Sequence, residues 1–204
     1  MWPVIASVVV ISLSGVMMPG PMFAVTLAKS YKSPWAGAQM ALGHAVVEVP
    51  LILLIRFGFS GFFQHTAVQF GLSIIGGAMI VWLGISMFMA RAKVVREGKD
   101  SPYSAFVAGI VMSALNPFFL LWWATVGVTL IMKFDSYGAA GLGVMAGVHW
   151  ACDLAWLSFV SFSIFKTRSF ISPRWQEWLF IIISLLLVFF GFRFIISGIQ
   201  TIIK

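Results

Sequence analysis

The sequence predicts an all-α integral membrane protein: six transmembrane helices forming two inverted three-helix repeats, with the first and fourth helices broken. Three observations carry that expectation. Of 204 residues, 61% are hydrophobic and only 9% are charged, against about 25% in a soluble domain. The apolar residues fall in six runs, each longer than the roughly 20 residues that a helix needs to cross the hydrocarbon. The runs also recur as two matched halves.

The first run covers 2–28 and is closed by Lys29 and Lys32; the second covers 35–57 and the third 68–90. A basic loop over 91–102 carries Arg91, Lys93, Arg96 and Lys99. The fourth run covers 103–132, the fifth 137–165 and the sixth 177–203, with a loop over 166–174 before the last. Lipid offers no partner to free backbone groups, so runs of this length are helices. They are too long for barrel strands, which need only ~10 residues. The chain thus reads as one transmembrane domain over 1–204, with repeat one over 1–90, the loop over 91–102 and repeat two over 103–204. No basic residue precedes the first run, so it reads as a retained helix rather than a signal peptide.

Thirteen basic and six acidic side chains give a net charge of +7. The basic residues sit between apolar runs and form no stripe, which argues against nucleic acid as a partner. Loops one, three and five hold nine of them; Arg56, Lys133, Arg193 and Lys204 are the other four. Basic loops stay in the cytoplasm, so both termini are expected outside, in a prokaryotic cell (inner) membrane. Arg193 lies deep in the sixth run and is expected to snorkel outward, with an internal role as the alternative. The single cysteine, Cys152, cannot form an internal disulfide or a redox pair.

The second run contains Met40-Ala41-Leu42-Gly43-His44 with Glu48 one turn later; the fifth contains Met145-Ala146-Gly147-Val148-His149 with Asp153 one turn later. Both histidines and both acids are 105 residues apart. Trp82-Leu83-Gly84 in the third run answers Phe189-Phe190-Gly191 in the sixth. Pro19-Gly20-Pro21 breaks the first run and Asn116-Pro117 the fourth. Three crossings reverse the side of the membrane, so the second half is inverted. Inverted repeats with broken helices mark secondary transporters.

Proline removes a donor and clashes with the preceding turn, so each break starts a new half-helix, opened by Pro21 and by Pro117. Two half-helix N-termini near the membrane centre make a donor-rich, positive site suited to a carboxylate. Pro19, Gly20, Pro21, Asn116 and Pro117 are therefore candidate substrate-binding residues lining one central cavity, and Glu48 and Asp153 are candidates to bind substrate with them. A carboxylate in hydrocarbon costs at least ~2.5 kcal/mol, so these two acids face inward and find partners. Each shares a helix face with its histidine. The four can carry protons, with His44 and His149 tuning Glu48 and Asp153. Alternatively they can ligate a divalent metal, for which this donor set is suitable. Structural hydrogen bonding between helices is the plainer alternative. Phe118, Phe119, Trp122 and Trp123 can line a pocket or form an interface belt. Gly76, Gly77, Gly143 and Gly147 permit close helix contact, including a homodimer contact.

Pro19-Gly20-Pro21, Gly43 with Glu48, Leu83-Gly84, the basic loop and Asn116-Pro117 together resemble the lysine-exporter (LysE/RhtB) family, over the whole chain. The resemblance implies six helices in inverted repeats and export of amino acids or similar metabolites driven by protons. The chain departs from the family pattern at Met22, where many members carry a polar residue, and at His44 and His149. The wider superfamily includes metal-ion exporters, which keeps the divalent-cation alternative open. No nucleophile sits beside a base in a catalytic motif, so neither an enzyme nor a cofactor is expected. The expected partners are a small-molecule substrate, protons and membrane lipid.

The charge bias predicts sidedness. After replacement of Cys152, a cysteine at position 99 is expected to resist impermeant thiol reagents in intact cells, and one at position 204 to react. Labelling of position 99 from outside, with none at 204, overturns this topology.

Overall fold

The computed structural model describes residues 2–17, 20–97, 103–170 and 172–203, and these are helical almost throughout, with no strand among them. Five helical segments are long and apolar enough to cross a membrane: Ala36–Phe59, Thr66–Met89, Pro117–Asp135, Gly138–Phe170 and Pro173–Ile203. A sixth span arises if Ile5–Val16 and Pro21–Ser30, bent by 79° at their junction, count as one.

The chain begins with α1 (Trp2–Val16) and, past the break, α2 (Pro21–Ser30). Pro21 opens α2, and Gly20 before it is extended at φ −153°, ψ −175°. Pro19 lies outside the described residues. Next comes α3 (Ala36–Leu54), which continues as a π-helical stretch over Ile55–Phe59. There Gly58 adopts φ 92°, a left-handed conformation that L side chains resist. The chain turns through short α4 (Ser60–Gln64) into α5 (Thr66–Glu97), which runs well into the basic segment. The fourth run is split at the expected place, into α6 (Ala105–Ala114) and α7 (Pro117–Trp122). A π-helical stretch over Trp123–Gly127 joins α7 to α8 (Val128–Asp135). Two long helices complete the chain, α9 (Gly138–Thr167) and α10 (Pro173–Ile203).

Without a hydrophobic drive between helices in lipid, association depends on close packing of small residues. A Cβ built on Gly43 of α3 would stand 2.0 Å from the Phe106 carbonyl of α6, and one on Gly109 of α6 would stand 2.3 Å from the Met40 carbonyl of α3. These two helices therefore touch backbone to backbone. Antiparallel α5 and α10 meet likewise, with Gly77 against Gly191 and Gly84 against Ser184. Gly76 is used inside the chain, against the Leu115 carbonyl, whereas Gly143 and Gly147 face open space.

The buried apolar residues form two clusters. One gathers Met40, Ala41, Ile80, Met112, Leu157 and Leu187; the other gathers Leu51, Ile52, Trp123, Leu130, Phe134 and Met145. Along α3 and α9, the stretches 44–48 and 149–153 fall between these two clusters. The polar residues thus occupy a layer between two apolar cores. At one end of the bundle Lys29 donates to the Tyr103 carbonyl, and Arg168 donates to the Tyr31 carbonyl at 2.5 Å. At the other, Arg56 Nε donates to Asp135 Oδ1 at 2.9 Å and Lys133 Nζ to Ser7 Oγ at 3.0 Å. Large apolar side chains such as Phe57, Trp82 and Phe159 point outward, as a lipid-facing surface requires.

The packing distinguishes one glycine from another. Gly43→Ala is expected to destabilise the protein by about 1–3 kcal/mol or more, because backbone, not a flexible side chain, must give way. Gly143→Ala should stay within about 0.5 kcal/mol. Unfolding of purified protein in detergent measures both, and equal stability of the two variants would contradict the packing.

Candidate functional site

Glu48 and Asp153 are brought together with both histidines in the buried layer. His44, Glu48, His149 and Asp153 are each at most 5% exposed. His44 Nε2 lies 3.1 Å from Glu48 Oε1, and His149 Nε2 lies 3.0 Å from the same oxygen. Trp123 Nε1 donates to that oxygen at 3.2 Å. Asp153 stands slightly apart, with Oδ2 3.5 Å from His149 Nε2 and Oδ1 4.0 Å from His44 Nε2. Both i, i+4 pairs form on their helix faces, and α3 packed on α9 joins them across the interface.

Each imidazole is held on its far side by a serine from a broken span. His44 Nδ1 meets Ser113 Oγ of α6 at 2.6 Å, and His149 Nδ1 meets Ser12 Oγ of α1 at 2.7 Å. Such partners fix ring orientation and proton position. The Ser113 hydroxyl donates its only proton to the Gly109 carbonyl at 2.6 Å, so His44 Nδ1 must be the donor to Ser113 Oγ. The His44–Glu48 contact then needs one more proton. Either His44 is an imidazolium facing a carboxylate, or Glu48 is a carboxylic acid donating to Nε2. In both states the pair is neutral and holds a transferable proton.

The cluster borders a cavity of about 330 Å³, within the range that takes a small metabolite. Gly20, Pro21, Asn116, His44, His149 and Asp153 line it. Two sequence-derived candidates stand elsewhere: Pro117 and Glu48 do not line it, and Glu48 lies behind the imidazoles. Phe118, Phe119, Trp122 and Trp123 all line the cavity. Phe119 meets the His44 ring edge-on at 4.7 Å, and Trp123 meets that of His149 at 4.9 Å. Arg193, expected to snorkel outward, lines the cavity as well.

The two half-helix starts differ. Asn116 Oδ1 accepts from the Phe118 and Phe119 amides at 3.1 and 3.4 Å, so the start of α7 is already capped. The start of α2 has no side-chain cap. The first-turn amides of Met22 and Phe23, two residues that line the cavity, are not used by the α2 ladder. Two carboxylate oxygens, Glu48 Oε2 and Asp153 Oδ2, are buried and have no hydrogen-bond partner among the described residues. The site therefore offers donors at one place and spare acceptors at another.

Sequence reasoning missed Ser12 and Ser113, and it missed the hydrogen bond from Trp123, already a candidate for a pocket wall, to Glu48. A lone serine within an apolar run is ordinary, and an indole N–H leaves no periodic signal. Ser7, Ser12 and Ser14 precede the first break, and Ser104 and Ser113 the second, so residue type alone does not single out the two that reach the imidazoles.

The family described as LysE type translocator matches residues 13–198. The Bacillus subtilis (strain 168) protein named "Putative amino acid efflux protein YcgF" is 27% identical over 209 residues, covering 95% of this chain and 96% of that protein. No solved structure matches the chain. With the family match spanning nearly its whole length, over a multi-span helical bundle, the chain belongs to the LysE type translocator family.

Proposed function

We propose that this protein is a secondary exporter of amino acids or related small metabolites, coupled to protons, in the prokaryotic inner membrane. The observation that carries the reading is the cavity bounded by both broken spans, with a proton-holding His–Glu pair buried behind its wall. Uncapped α2 amides suit a carboxylate. Asp153 and Glu48 either receive the substrate ammonium or carry the coupling proton, with His44 and His149 passing it between them. The name of the B. subtilis relative points to the same substrate class.

The inverted-repeat reading draws support from paired contacts. A shift of 107 residues takes Gly77 onto position 184 and Gly84 onto 191. The contacts Gly77–Gly191 and Gly84–Ser184 then exchange with one another, as a twofold axis in the membrane plane demands. Ser12–His149 and Ser113–His44 exchange in the same sense.

Export of a divalent cation is the second reading. Ligand atoms of His44, Glu48 and Asp153 lie within 4.8 Å of one another, and His149 adds a fourth donor. The helix start that attracts a carboxylate repels a bare cation, which favours the metabolite.

Gly20→Leu is expected to abolish flux in proteoliposomes while leaving insertion intact. Its extended backbone suits any residue, so the loss would come from filling the space before the α2 amides. Retained flux would remove the cavity from the pathway.

The two readings part over the histidines. If protons are the coupling ion, Glu48→Gln stops coupled amino-acid flux, whereas His44→Asn shifts only its pH profile. If a metal is the cargo, His44→Asn removes most metal affinity, and wild-type affinity falls as acid protonates the imidazoles. Calorimetric titration with manganese, zinc, cobalt and nickel decides. Micromolar binding eliminated by His44→Asn would install the metal exporter.

A further inference from the structure

Arg193 lies ten residues before the end of α10, about 15 Å of helix, which is too far for one side chain to climb. It is exposed and stands on the wall of the cavity, beside Phe189, Phe190 and Phe194. Among the described residues its guanidinium has neither an ion-pair nor a hydrogen-bond partner. A permanent cation with five donors, left unpaired against aromatic walls, is a costly thing to keep in a membrane. An anion arriving in the cavity would remove that cost, and a planar guanidinium matches a carboxylate through two parallel bonds.

Two further observations point to the same ligand. The amides at the start of α2 lack a cap and belong to residues lining this cavity. Asp153, of opposite charge, lines the cavity too, with no hydrogen bond to Oδ2, and its ion-pair contacts are with the histidines rather than with Arg193. One cavity thus carries a positive and a negative group that do not neutralise each other. That pattern complements a molecule carrying an ammonium and a carboxylate on one small frame.

We infer that Arg193 is a substrate-binding residue that holds the carboxylate of a free α-amino acid, with Asp153 receiving its ammonium. This rests on the exporter reading and narrows it: amines without a carboxylate, and amino acids esterified at the carboxylate, are poor substrates. A metal ion gains nothing from Arg193 and is repelled by it.

The test sets the twenty common L-amino acids against their methyl esters, in thermal-shift binding and proteoliposome flux, on wild type, Arg193→Lys, Arg193→Gln and Arg193→Met. Wild type should prefer at least one free acid over its ester by about 10- to 100-fold. Arg193→Lys should keep part of that preference and Arg193→Gln should lose it. Arg193→Met removes the charge but keeps the packed stem, and decides the matter if the glutamine variant does not fold. An uncharged variant with the wild-type acid-to-ester ratio would overturn the role of Arg193 and leave the exporter reading standing. A wild type that takes no amino acid at all would overturn the exporter reading, and this inference with it.

Discussion

A carboxylate near the middle of a 24-residue span must be neutralised where it stands, and the arrangement of the other helices follows from that demand. Glu48 is 1% exposed, and breaking a buried pair by removing one partner costs several kcal/mol. Three ring nitrogens therefore converge on its Oε1: Nε2 of His44 from its own helix, Nε2 of His149 from α9, and the Trp123 indole N–H from the segment after α7. Each must arrive at hydrogen-bond distance, so α3, α9 and the second half of the fourth span are placed relative to one another by a single oxygen. Close approach makes this possible. Gly43 and Gly109 let α3 and α6 touch through their backbones, which carries Ser113 to His44. The Trp150 indole, donating to the Ala41 carbonyl at 2.9 Å, ties α9 to α3 one turn from the histidine.

The same demand explains why the two breaks are not alike. Asn116 spends its carboxamide on the amides of α7, so that half-helix is complete and its N-terminal charge is already answered. Gly20 has nothing to give to α2. In an apolar setting an unanswered helix start persists only beside water or a ligand, and here it faces the cavity. One break acts as a structural corner and the other as an open donor site, although both begin with proline.

Much of this was legible in the sequence because it rests on period and offset. Apolar run length located the spans, and the shared 105-residue offset of His44/His149 and Glu48/Asp153 marked the cluster before any packing was known. The proline positions located both helix breaks. What stayed hidden depends on rotation of one helix against another. Ser12, Ser113 and Trp123 reach the cluster only because α1, α6 and the segment after α7 turn particular faces inward. These long helices carry almost no sidedness, being apolar all round, as helices in lipid are. The direction of Arg193 stayed open for a related reason. Its depth in the sixth run was plain, but its direction was not, and a lone arginine in an apolar run ordinarily seeks the interface. Pro117, expected in the cavity wall, and Glu48, expected to bind substrate or carry a proton, both stand off that wall. In the fold one starts a helix and the other anchors the imidazoles from behind.

The two ends of the bundle are held with unequal strength, and this bears on how a central cavity can serve two sides in turn. Arg56 and Asp135 are partly exposed, at 32% and 53% of their side chains, and exposed pairs are worth roughly 0–1 kcal/mol. Thermal motion breaks such a contact readily. Lys29 at the opposite end is 4% exposed, and its ammonium lies 4.9 Å from the centre of the Tyr103 ring besides bonding that residue's carbonyl. Arg168 adds a guanidinium stacked 3.4 Å over Phe165 and a bond to the Tyr31 carbonyl. Opening that end strips the buried Lys29 ammonium of these contacts, which costs far more than parting a surface pair. The polar layer lies between the two apolar cores. A molecule that bridges Asp153 and Arg193 across the cavity would pull α9 and α10 together at that layer. Substrate charge would then be converted into relative motion of two long helices.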